Sequence, residues 1–166
     1  MRPRGRRYSP PRDGTPFATS AVRVSRVHKE RRTEHETASS VLLVDRGRSW
    51  PDEFVEHLAH TGWLVVRIDD SKLLPFFVLA GGVGAILLDV SSLGMTETIA
   101  IRNCREHAPQ TSVVVVASEI GRAEVTRALE GGATALIRFD ASRRDIQRAL
   151  ESGARGATTF HIEESA

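Results

Sequence analysis

A single cysteine, Cys104, in 166 residues excludes an internal disulfide and a thiolate metal cluster. Aromatic residues make up only 5% of the chain, so the apolar 40% must build its core mainly from Val, Leu, Ile and Ala. No apolar run approaches the roughly 20 residues that a membrane-spanning helix needs. The opening arginines, Arg2, Arg4, Arg6 and Arg7, are not followed by the hydrophobic stretch of a signal peptide, and a cytoplasmic location is the resulting expectation. The histidines show no ligand spacing: His57 and His60 flank the end of one expected helix, and His28 and His35 fall outside the patterned region. Gly81-Gly82-Val83-Gly84 precedes a strand, whereas a phosphate-binding loop follows one and feeds a helix, so it reads as a turn. No nucleophile–base–orienter set is visible either, and the chain is not expected to be an enzyme.

What is present is unevenly distributed. The net charge of +2 divides into ten Lys/Arg against four Asp/Glu over residues 1–40, a net of +6, and thirteen against seventeen over the remainder, a net of −4. Residues 1–38 are rich in Arg, Pro, Gly and Ser and poor in large apolar side chains, so burial there cannot offset the entropy of ordering. They are read as a disordered basic arm. The weak alternation over 21–27 offers an edge strand as the competing assignment. Arginines in such an arm can contact phosphate backbones without sequence preference. With Tyr8 and Phe17 as its only aromatics, however, the arm lacks the stacking platforms that single strands favour. Residues 39–153 form one expected domain, and 154–166 a short polar tail.

Across that domain, strand and helix patterns alternate. Strands are expected over 41–45, 63–68, 85–89, 113–117 and 135–138, each a nearly continuous aliphatic run of the kind buried in parallel sheets. Helices are expected over 51–60, 71–80, 96–107, 121–130 and from Ser142 onward, where Ser142 and Asp145 make an N-terminal cap. Their inward positions are read as Phe54, Val55, Leu58 and Ala59; Ile99 and Cys104; Val125, Ala128 and Leu129; and Ile146, Ala149 and Leu150. Five βα units make a three-layer α/β sandwich of the flavodoxin-like kind, with a parallel sheet of order 2-1-3-4-5.

Two of these strands end in aspartate, Asp45 and Asp89, and carboxylates at the carboxyl ends of parallel strands meet in the crevice where open α/β sheets hold their sites. Paired carboxylates suit a divalent cation. The competing assignment is that each aspartate caps a turn or helix, which is also the reading for Asp69 and Asp70. Ser118, after the fourth strand, is open to two readings, an anion donor or the cap of the next helix.

Residues 41–152 resemble the receiver domain of two-component response regulators. The resemblance rests on Val41-Leu42-Leu43-Val44-Asp45, on Leu87-Leu88-Asp89 placed 44 residues later where the phosphoacceptor sits, and on Gly131-Gly132-Ala133 before the last strand. It implies Asp89 as the phosphoacceptor, an acidic pair that with it holds Mg²⁺, a hydroxyl and a lysine that neutralise the phosphoryl oxygens, and an aromatic switch on the fifth strand. The sequence departs from that pattern at each supporting position. Arg46 replaces the second acid, Ala117 the hydroxyl with Ser118 one residue late, Phe139 the lysine, Asp140 the following proline, Leu136 the aromatic, and Leu93 the proline after the acceptor. Arg138 adjoins the lysine position but points to the opposite face of a regular strand.

The expectation is therefore a pseudo-receiver, a signalling module with no catalytic residue, no cofactor and no metal, in which Arg46 neutralises Asp45 and Asp89. Its vestigial pocket comprises Asp45, Arg46, Asp89, Ala117, Ser118 and Phe139. A protein partner is expected on the face made by the fourth and fifth helices and the fifth strand, with a homodimer as a further option. Two alternatives stay open. Asp89 accepts phosphate with Mg²⁺ on Asp45 and Asp89, or residues 1–38 bind nucleic acid; no membrane partner is expected.

Overall fold

A computed structural model describes residues 22–25, 39–46, 50–156 and 159–160. The chain runs β1 (Val22–Ser25), β2 (Ser40–Val44), α1 (Asp52–Ala59), β3 (Leu64–Ile68), α2 (Leu74–Ala80), β4 (Val83–Asp89), α3 (Met95–His107), β5 (Ser112–Ala117), α4 (Arg122–Glu130), β6 (Ala135–Arg138), α5 (Arg143–Leu150) and β7 (Thr159–Phe160). Short 3-10 turns, Ser71–Leu73 and Val90–Ser92, follow β3 and β4.

The sheet order is β1-β3-β2-β4-β5-β6-β7. Its five central strands, β2 to β6, are parallel and give the expected 2-1-3-4-5 order when counted from β2. Two edge strands extend it beyond expectation. β1 pairs antiparallel with β3, Val22 opposite Ile68 and Ser25 opposite Val65. Residues 22–25 are thus a strand, the assignment that ranked second for this stretch. The rest of the expected arm, 1–21 and 26–38, lies outside the described residues. At the other edge β7 pairs parallel with β6, Ala135 opposite Thr159 and Leu136 opposite Phe160, so these two residues of the expected polar tail add a strand to the sheet.

Alternation along the strands divides the core in two. Val41, Leu43, Leu87, Val114, Val116 and Ile137 meet α1 and α5 through Phe54, Leu58, Ile146 and Leu150. On the other face, Leu42, Val44, Ile86 and Leu88 meet α2 and α3 through Leu74, Val78, Ala100, Ile101 and Cys104. Val115, Ala117 and Leu136 pack with Ala128 of α4 on that same face. At roughly 1.5–3 kcal/mol per large buried aliphatic side chain, this two-sided burial is the main source of stability.

Two inward assignments are corrected. Ile99 is 49% exposed and Leu129 51% exposed. In α3 the buried stripe runs through Glu97, Ala100, Ile101 and Cys104, and Ile99 falls outside that arc at 100° per residue. In α4 the burial is carried by Ala128, one step round from Leu129.

Of the glycines at 81, 82 and 84, the first two turn the chain with φ of 86° and 81°. Gly84 instead lies within β4 under the Trp63 ring, where a Cβ would come 2.6 Å from Cζ3. At the same end of the sheet a hydroxyl network ties α5 down. Ser112 Oγ donates to Leu150 O at 2.6 Å, Ser152 Oγ donates to Ala149 O at 2.7 Å, and Thr134 Oγ1 lies 2.7 Å from Ser152 Oγ. These bonds satisfy carbonyls that the end of α5 leaves without helical partners.

Candidate functional site

Because the central strands are parallel, their carboxyl ends collect on one edge of the sheet. Asp45 and Arg46 follow β2, Asp89 ends β4, Ala117 ends β5, and Phe139 follows β6. The predicted pocket residues therefore share one rim, but the contacts they make differ from those expected of them.

Asp89 is 7% exposed. Its Oδ1 accepts from the Ser91 backbone N–H at 2.7 Å and from the Ser91 hydroxyl at 2.6 Å, which makes it the cap of the Val90–Ser92 turn. Asp45 lies 3.6 Å from the Arg67 guanidinium on the neighbouring strand β3. Asp70 caps the turn after β3 by accepting from Lys72 N at 2.9 Å. The capping assignment thus describes both Asp89 and Asp70.

Arg46 is the main correction. Its guanidinium does not pair with Asp45 or Asp89 but donates to Glu97 Oε1 at 2.7 Å. Glu97 is 2% exposed and sits in the first turn of α3. The same Oε1 accepts the Ser71 hydroxyl at 2.9 Å, and Oε2 accepts the Gly94 backbone N–H at 3.1 Å. One buried carboxylate thus joins the segments that follow β2, β3 and β4. Charge-assisted bonds of this kind are the stronger sort, and a buried carboxylate needs them. The sequence contained half of this signal: Glu97, three residues after Gly94, can reach back to the start of its own helix. Ser71 and Arg46 are distant in sequence and carry no such mark.

The lysine position is occupied as firmly. The Phe139 ring meets Trp50 at 5.4 Å and Phe54 at 5.8 Å, both edge-on, and Trp50 lies 5.5 Å from Phe54. Trp50 is 5% exposed and Phe54 fully buried. Each such pair contributes about 0.5–1.5 kcal/mol beyond burial. Three of a small aromatic complement therefore pack together in the core on the α1 and α5 side of the sheet. Phe54 was legible as an inward helix position, but Trp50, which precedes α1, and the meeting of both rings with Phe139 were not.

Ala117 is 1% exposed and Leu136 fully buried, both in the apolar cluster against α4. Leu93 packs in the same region. Ser118 is exposed and does not cap α4, whose first turn is held by Glu124 Oε2 accepting from Gly121 N at 3.0 Å. Arg138 pairs with Asp140 at 2.6 Å, on the far side of β6 from Phe139. Cys104 is buried in the core, and loss of hydration pushes its thiol from 9.0 up to about 11.

The donor set fits a magnesium ion poorly. Asp45 faces an arginine, Asp89 Oδ1 already accepts two hydrogen bonds, and the second acidic position is a cation. Among the described residues no group of three or more His, Cys, Asp or Glu side chains converges as a metal site. Nor is any helix among them long and apolar enough to cross a membrane.

An open parallel sheet of this order is the doubly wound, flavodoxin-like α/β sandwich, and solved receiver domains share it. A two-component response regulator of the LuxR family from Aurantimonas superposes with a TM-score of 0.58 at 17% identity, covering 75% of this chain and 89% of that one. The receiver domain of a sensor histidine kinase from Pseudomonas aeruginosa, solved with magnesium in its active-site cleft, gives 0.57 at 18% identity, covering 71% and 98%. The signal receiver domain of the response regulator NarL from Mycobacterium tuberculosis gives 0.55 at 24% identity, covering 72% and 98%. No family model and no curated protein matches the sequence. The fold is that of CheY-like receiver domains.

Proposed function

We infer that this chain is a two-component signalling module of the pseudo-receiver kind, working through protein contacts and not through magnesium-dependent phosphorylation of an aspartate. The observation that carries this reading is the engagement of Arg46 with buried Glu97, at the position where active receivers need a second metal-binding acid. The aromatic trio at Phe139 supports it from the other side of the rim. Phosphoryl transfer proceeds by positioning and charge neutralisation, so a rim without the second acid, the hydroxyl or the lysine has little means of stabilising the transferred group. A non-catalytic regulator with no bound cofactor follows. Its partner face is the surface of α4, β6 and α5, where Ile120, Ile137, Arg138, Asp140, Ser142 and Asp145 line a shallow pocket of about 230 Å³.

The test is to titrate Mg²⁺ and acetyl phosphate while following Trp50 fluorescence and intact mass. The expected result is no saturable Mg²⁺ response and no phosphoryl adduct. A stoichiometric adduct on Asp89 that requires Mg²⁺ would overturn the reading. A second reading keeps Asp89 as a phosphoacceptor and draws on its position at the tip of β4. Under it, labelling by a cognate kinase is abolished in Asp89→Asn.

A further inference from the structure

We propose that the outward faces of α2 and α3 form the contact between two copies of this chain. The segment Leu74–Ala80 reads Leu-Pro-Phe-Phe-Val-Leu-Ala and contains no polar side chain, a composition found in helices that are covered on every side. The core takes Leu74 and Val78, with Phe77 packed beside them, yet Phe76 is 80% exposed and Leu79 63% exposed. The neighbouring helix repeats the pattern, with Met95 at 79% and Ile99 at 49%. Four of the five large apolar side chains exposed among the described residues thus lie on two helices packed side by side.

Both helices return from the carboxyl edge of a parallel sheet, so they run in the same direction. Phe76 and Met95 lie in their first turns, Leu79 and Ile99 about one turn further on. The Ser71–Glu97 hydrogen bond fixes the start of one helix against the other. The exposed parts of these four side chains amount to roughly 500 Å² per copy, taking about 200 Å² for a fully exposed large side chain. That is at the top of what monomers leave bare and most of the ~800 Å² per partner in an ordinary specific interface.

A second copy fits this face better than the chain's own basic segments. Residues 1–38 offer only Tyr8 and Phe17 as aromatics among ten Lys/Arg. Two-fold pairing is also the commonest way to bury a self-complementary patch. The rim matches such pairing: Asp69 and Asp70 are exposed before α2, and Arg102 is exposed further along α3. An antiparallel two-fold arrangement turns the acidic end of each copy toward the arginine of the other. The contact is independent of whether Asp89 takes phosphate.

Sedimentation velocity of the full chain over a concentration series tests the proposal, with circular dichroism to verify the fold of each variant. The expected mass is that of two copies, dissociating on dilution. Folded Phe76→Glu and Leu79→Glu should weaken association about thirtyfold or more, the effect of losing a central anchor. Leu129→Glu, on α4, should leave it intact. Leu79→Cys supplies an independent reading because Cys104 is buried: mild oxidation should give a covalent dimer. A single-copy mass at every concentration overturns the proposal. So does a dimer that survives Phe76→Glu with the fold intact, or one broken by Leu129→Glu.

Discussion

Replacing Glu97 by alanine removes the acceptor on which the Ser71 hydroxyl, the Gly94 N–H and the Arg46 guanidinium converge. The three losses are unequal. Ser71 is 3% exposed, so its hydroxyl is left without water in the bargain, at about 1–3 kcal/mol. The Gly94 N–H is part-buried and adds roughly 1 kcal/mol. The Arg46 side chain is 53% exposed and can rehydrate, so its share stays under about 1 kcal/mol. The expected cost of Glu97→Ala is therefore about 2–5 kcal/mol, a fall in Tm of order 10 °C for a domain of this size. Glu97→Gln keeps one acceptor oxygen and should lose about half as much, while Arg46→Ala should lose least. Urea unfolding followed by far-ultraviolet circular dichroism and Trp50 fluorescence measures all three. If Glu97→Ala unfolds within about 0.5 kcal/mol of the parent, or Arg46→Ala costs as much as Glu97→Ala, the carboxylate does not organise the rim.

Other outcomes follow from separate parts of the molecule. Arg46→Asp should destabilise the fold, because it leaves buried Glu97 without its arginine, and should not create a magnesium site, because Asp45 stays beside Arg67 and Asp89 Oδ1 stays engaged by Ser91; isothermal titration with Mg²⁺ together with thermal melting reads both effects. Phe139→Lys should cost about 1–3 kcal/mol through loss of its contacts with Trp50 and Phe54 and still yield no acetyl-phosphate labelling, checked by denaturation and intact mass. Gly153→Ala would bring a Cβ within 2.6 Å of Ser112 N and 2.7 Å of Gln110 O, backbone atoms held in β5 and the turn before it, so a loss of about 1–3 kcal/mol is expected in urea. The Cys104 thiol ionises at 9.0 when solvated and at about 11 when buried, so its contribution to stability is present below pH 9 and lost as pH rises toward 11. A thiol reagent at pH 8 should modify Cys104 only at the rate of unfolding, and rapid labelling of the native protein would contradict its burial.

Much of this architecture is set by local pattern. Aliphatic runs bounded by glycine and polar turns specify five buried strands, and the Ser142–Asp145 cap marks the start of α5. The presence of Asp45 and Asp89 at strand tips, and of arginine and phenylalanine where an acid and a lysine would serve phosphoryl chemistry, is likewise a matter of sequence alone. The edge strands were less legible. β1 and β7 are 4 and 2 residues long, and strands that short acquire their identity from the neighbour they pair with.

Tertiary structure alone decided where the charges and rings went. Arg46 and Glu97 are 51 residues apart, and the arginine sits at a strand end from which a long side chain can reach several acids. Asp45 and Asp89 were nearer in the sequence logic, yet Arg67 and Ser91 had already engaged them. Likewise the outward turn of Ile99 depends on which arc of α3 meets the sheet, an azimuth that Glu97 helps to set by burying its carboxylate. Periodicity tells a residue which face of its own element it occupies. Which partner stands opposite depends on how separate elements are brought together, and for side chains as long as arginine that choice is made only in the folded chain.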